Sequence, residues 1–184
     1  MAFLSVVRIV LYSILWAFSV VLLGLTAARI HYTESLSPDD PLNGGRHFYD
    51  PIVAELLATS ILVMLWSMFA IHTIHTRRDR LILHTFATEN IALFILFVMW
   101  LVGTAIATSM WGNLGWCHHY SPCRLLTALV AVAWTGWVFL FFLLSASLVH
   151  AFVNRAWNEP MHGHLYPRDS FAPPQTSEYR GSRL

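Results

Sequence analysis

Polar and apolar positions along the chain fall into four long uncharged stretches, set apart by short clusters of charge and turn residues. The first stretch, Ile9 to Ala28, lies between Arg8 and Arg29. The second lies between Glu55 and Arg77 and takes His72 and His75 near its end. The third follows Arg80 and runs to about Thr108, interrupted only by Glu89. The fourth lies between Arg124 and Arg155, with His150 near its end. A helix crossing a bilayer needs about 20 apolar residues at 1.5 Å rise each, and every stretch meets that length. The fourth exceeds it and should tilt or reach past the hydrocarbon. The pattern therefore predicts an all-α fold, a four-helix transmembrane bundle. Its helices cover about 7–30, 52–75, 81–108 and 124–152, within one domain of residues 5–153.

Composition agrees with lipid as part of the solvent. Apolar residues make up 57% of the chain and charged residues 11%, with a mean hydropathy of +0.57. Soluble domains carry about 25% charged residues. All basic residues are arginines, scattered singly or in one short turn, and no basic block suggests nucleic acid. The tail, 154–184, holds Pro160, Pro167, Pro173 and Pro174 with few aliphatics, so it should be a disordered cytoplasmic segment. The first apolar stretch is longer than the ~7–15-residue h-region of a signal peptide and is read as a retained helix. Cleavage after the small residues Thr26, Ala27 and Ala28 would instead leave three crossings.

Arginine placement sets the expected orientation. With the N-terminus inside, Arg8, Arg77, Arg78, Arg80, Arg155, Arg168, Arg180 and Arg183 lie inside, against Arg29, Arg46 and Arg124 outside. The tight turn holding Arg77, Arg78 and Arg80 is the main determinant. Both termini are then expected in the cytoplasm.

Candidate chemistry is sparse. Cys117 and Cys123 stand six positions apart in the second outer loop, where an oxidising compartment permits a disulfide. With His118 and His119 they could also ligate a metal, but the spacing is wider than the usual Cys-x2-4-Cys pair, so no metal is expected. His72, His75, His84 and His150 gather at one interface, not facing each other across helices as haem ligands do. They are read as amphipathic helix-end residues, and no cofactor is expected.

Glu89 is the most distinctive position, about eight residues into the third predicted helix. A carboxyl at that depth costs at least ~2.5 kcal/mol unless paired or protonated, so it should face the bundle. Asn90 and Ser67 are further buried polar candidates, and Ser13, Ser67, Ser145 and Ser147 lie at matching depth as possible partners. The carboxyl is read as a device fixing helix register, with a proton or ion relay as the alternative. Small residues recur every four positions at Ala54/Ala58, Gly103/Ala107 and Thr127/Ala131/Thr135, a spacing that allows close helix approach. No Cys-x-x-Cys, His-Glu-x-x-His, Gly-x-Ser-x-Gly or phosphate-loop signature occurs, so the chain is not expected to be an enzyme.

Two segments bear a resemblance. One is the arginine-rich turn into the third helix, with Glu89 ahead of Ile95-Leu96-Phe97-Val98-Met99-Trp100-Leu101. The other is Cys117 and Cys123, then Arg124-Leu125-Leu126-Thr127-Ala128 and the aromatic run of the fourth helix. With the four-helix layout they resemble MARVEL-domain tetraspan proteins, particularly small fungal members. Trp111-Gly112-Asn113-Leu114-Gly115-Trp116-Cys117 is similar to the claudin loop signature, but it sits between helices three and four instead of one and two. The MARVEL resemblance implies a non-enzymatic membrane organiser acting in vesicle trafficking or membrane apposition, in the plasma membrane or a secretory-pathway membrane. Its implied partners are membrane lipids, sterol among them, and other membrane proteins or further copies of itself. A small proton-coupled transporter centred on Glu89 is the alternative.

Overall fold

A computed structural model describes residues 2–35, 48–76, 85–111 and 121–153, with side chains from residue 6 onward. Arg77, Arg78, Arg80, Cys117 and the tail from residue 154 lie outside the described residues, and with them the expected turn, the Cys117 side of the expected disulfide and the expected disorder of the tail. The four helices are α1 (Ala2–Glu34), α2 (Pro51–Thr76), α3 (Phe86–Trp111) and α4 (Ser121–Val153). All four are long and apolar enough to cross a membrane. They form a ring in which α1 packs against α2 and α4, and α3 packs against the same two, leaving α1 and α3 on a diagonal.

Local chemistry explains the helix starts. Asp50 precedes Pro51, whose missing N–H is no loss in a first turn, and the Asp50 carbonyl accepts from Val53 and Ala54 at 3.1 and 3.3 Å. Thr85 precedes α3: its carbonyl accepts the Glu89 N–H at 3.1 Å and its hydroxyl the Thr88 N–H at 3.4 Å. From this cap α3 is described from Phe86 on, with Glu89 in its first turn, and the expected start at residue 81 lies outside the described residues. Ser121-Pro122 opens α4 in the same style, three residues ahead of the expected 124. The outer helices run past their expected limits, because charge at their ends does not interrupt the backbone ladder.

The inward face is the more polar one. In α1 the buried positions are Arg8, Tyr12, Leu15, Ser19, Leu22, Thr26, Arg29 and Thr33, alternately four and three apart. That 3.5-residue repeat is the seam of a left-handed bundle. Outward stand Val6, Val10, Trp16, Val20 and Val21. Only 28–39% of each crossing is buried, so most apolar side chains face away from the bundle. A soluble bundle inverts this arrangement; here the hydrocarbon takes the apolar perimeter.

Between α3 and α4 the packing is fixed by one large side chain and one glycine. Trp100 is fully buried and its indole N–H donates to the Ala133 carbonyl at 3.0 Å. A Cβ on Gly136 would come within 2.5 Å of the Trp100 ring, so glycine makes the slot. Gly103 is likewise closed over by Glu55 and Leu56 of α2, and Ala107 is buried one turn on. The other small-residue stripes do not pack. Thr135 and Ala131 are exposed, Thr135 returning its hydroxyl to the Ala131 carbonyl, and Ala58 is exposed as well. Spacing alone did not indicate which face turned inward.

Candidate functional site

The charged residues of the described crossings gather at the two ends of the bundle. At one end α1 and α3 both begin. There the Arg8 guanidinium forms an ion pair with Glu89, Nη2 donating to Oε2. The Tyr12 hydroxyl, one turn further along α1, donates to Glu89 Oε1 at 2.6 Å. Glu89 and Tyr12 are fully buried and Arg8 nearly so. The guanidinium also lies over the Phe86 ring, 4.7 Å from its centroid, and Phe86 meets the His150 ring of α4 at 4.9 Å. Two side chains of α1 thus close over the α3 carboxylate, and the Phe86–His150 contact joins α4 to the same end.

Each part follows from its element. Residues 8 and 12 share a face of α1, four apart. Glu89 sits where the positive end of the α3 dipole favours an anion. The adjacent Asn90 is buried and its amide donates to the Phe86 carbonyl at 2.8 Å, leaving Oδ1 without a partner.

The partners of Glu89 differ from those expected. The charged partner is Arg8, which the sequence pattern treats as a flank of the first crossing and a mark of orientation. None of the four serines fills the role. Ser13 is exposed and bonds the Ile9 carbonyl, and Ser145 is half-buried. Ser67 and Ser147 are buried with no hydrogen-bond partner. The available signal was topological: in an up-down bundle the N-terminal ends of helices one and three lie at the same end, with Arg8 and Glu89 each within two turns of it.

At the opposite end, Arg29 of α1 is 4% exposed and donates from Nη2 to Asp50 Oδ2 at 3.3 Å, bridging to the start of α2. The Phe48 and Tyr32 rings flank its guanidinium, with centroids at 5.7 and 6.0 Å. Its Nε and Nη1 have no acceptor. One turn into α2, Glu55 Oε1 accepts from Thr59 at 2.9 Å while Oε2 is buried against Gly103 without a partner. Glu55 was read only as the edge of the second crossing.

The arrangement ties helices together. Both oxygens of Glu89 are engaged, so protonating it would strand the Arg8 charge in a buried site. The 14 positions separating Glu89 from Gly103 on α3 correspond to about 21 Å, and the buried seam between them holds Leu93, Leu96 and Trp100. Among the described residues no group of three or more His, Cys, Asp and Glu side chains is placed to hold a metal ion. His72 and His75 are exposed at the end of α2, and His84 lies outside the described residues.

Comparison with models of protein families, with curated proteins and with solved structures found no match.

Proposed function

We propose that this chain is a non-enzymatic tetraspan of the MARVEL type that organises membrane domains or serves vesicle trafficking and membrane apposition. Both termini face the cytoplasm, as the Arg77–Arg80 turn demands under the positive-inside rule. Its host is the plasma membrane or a secretory-pathway membrane, and Cys117 and Cys123 pair on the outer side. Two free thiols in non-reducing mass mapping would remove that last element.

One observation carries the reading: the buried charges of the crossings are engaged in helix-to-helix contacts, while the surface turned outward is apolar. Side chains such as Ile91, Phe94, Ile95, Val98 and Val102 form a broad outward strip on α3. Such a strip suits lateral contact with lipid tails and neighbouring helices. The carrier alternative needs Glu89 to release and take up a proton during a cycle, and its engagement with Arg8 and Tyr12 weighs against that.

The test is imaging of a tagged full-length chain combined with crosslinking and lipid analysis of the purified protein. A patchy membrane distribution with co-purifying membrane proteins or sterol is expected. Uniform distribution with neither, or proton-coupled flux in reconstituted vesicles that vanishes in Glu89→Gln, would count against it.

A further inference from the structure

Between the C-terminal end of α1 and the N-terminal end of α4 lies a groove of about 650 Å³ lined by Leu25, Ala28, Arg29, Tyr32, Ser121, Pro122, Arg124 and Leu125. Its wall joins two kinds of side chain. Arg29, Arg124 and Ser121 give it cationic and hydroxyl groups, Ala28 and Leu125 stand beside the arginines in the chain, and Leu25 lies about one helical turn further into the first apolar stretch. Arg29 closes the first apolar stretch of the sequence and Arg124 opens the fourth. The cationic groups therefore stand where hydrocarbon gives way to headgroups.

Three observations point to an anion there. The Arg29 guanidinium is almost wholly buried, yet Asp50 engages only Nη2, and Nε and Nη1 have no acceptor. Buried donors of a charged group without an acceptor are costly, and a turn of the guanidinium toward the groove would bring them onto an anionic oxygen. Arg124 is exposed and its only described polar contact is a long one, Nη2 donating to Ser121 Oγ at 3.4 Å, so it is free to turn onto a ligand. The first turn of α4, 33 residues long, adds the positive end of a helix dipole. Asp50 offsets one arginine and the C-terminal end of α1 opposes the α4 dipole, leaving the Arg124 charge for a ligand.

We infer that this groove holds an anionic phospholipid, its phosphate on Arg29 and Arg124 and the start of its acyl chains along Leu25, Ala28 and Leu125. A free phosphate would use the cationic groups only and leave the apolar side chains uncovered, which favours the lipid. The inference deepens the proposed role by naming a lipid class, and it rests on the chain acting through lateral lipid contacts. Its test reads binding alone, so its failure leaves the distribution and partners of the chain untouched, and their failure leaves the groove untouched.

The full-length protein is reconstituted in nanodiscs of phosphatidylcholine with a minor fraction of phosphatidylserine or phosphatidylinositol. Lipid retained on release is then counted by native mass spectrometry. Retention of the anionic lipid over phosphatidylcholine is expected, falling about fivefold in Arg124→Gln. Arg124 is exposed, so that variant should fold. Ala28→Trp, which fills the groove from its exposed side without altering charge, should lower retention as well. Arg29→Gln should act like Arg124→Gln if it folds. Equal retention of both lipid classes, or unchanged retention in both Arg124→Gln and Ala28→Trp, overturns the inference. Displacement of the lipid by millimolar inorganic phosphate, with Ala28→Trp still binding normally, overturns the lipid as occupant and leaves a simple anion site.

Discussion

At the scale of single residues, Glu89 matters because of what surrounds it. An isolated carboxylate in a membrane helix would be neutral or displaced towards water. Here a guanidinium and a phenol occupy its two oxygens, and a helix N-terminus lies behind it. The identity of its partner changes the expected behaviour of substitutions. With hydroxyl partners alone, Glu89→Gln would be mild and Glu89→Leu damaging. With Arg8 as partner, both variants leave a buried cation unpaired, and both should destabilise by about 3–5 kcal/mol. Tyr12→Phe removes one hydrogen bond to a charged group and keeps the ion pair, so a smaller loss of about 1.5–3 kcal/mol is expected. Detergent-titration unfolding of the three variants would rank them, and a Tyr12→Phe loss as large as that of Glu89→Gln would contradict the ordering.

Among the elements, α3 and α4 depend on a glycine–tryptophan fit and α2 and α3 on a looser one. In Gly136→Ala the new methyl meets the ring of Trp100, a rigid group held by its own hydrogen bond to Ala133. A loss of about 1–3 kcal/mol is expected. In Gly103→Ala the nearest atom is the flexible end of Glu55, which can swing aside, so the loss should be smaller. Thermal unfolding in one detergent would separate the two, and a larger loss for Gly103→Ala would go against this packing. The sequence made the crossings legible because uncharged runs of bilayer length have few other uses. It was less informative about faces. The 3.5-residue seam of α1 carries Arg8, Ser19, Thr26, Arg29 and Thr33 among apolar neighbours on all sides. Where hydrophobic residues occupy every face, the inward one is marked by its polar members. The Thr127/Ala131/Thr135 stripe, small and regular, misled because outward positions in lipid also tolerate small residues. Thr85 caps the described part of α3 from within a run that hydropathy treats as one stretch, a local signal that apolar length does not register.

For the whole molecule, the paired charges sit at opposite ends of the bundle. Arg8–Glu89 draws the diagonal helices α1 and α3 together at one end. Arg29–Asp50 fastens α1 to α2 at the other. Hydrophobic burial gives helices little reason to associate in lipid, so such contacts and close packing must set which helices meet. Arg8 and Glu89 are 81 positions apart in the chain, and only the up-down order of crossings brings them level. The central claim is that this pair is a structural clasp between α1 and α3. A double-mutant cycle tests it most directly, with unfolding free energies measured for Arg8→Met, Glu89→Leu and the double variant in the same membrane mimetic. The account predicts that each single change costs about 3–5 kcal/mol and that the double variant regains most of the loss, since no buried charge is left unpaired. Additive losses, with the double variant weaker than either single one, would contradict it.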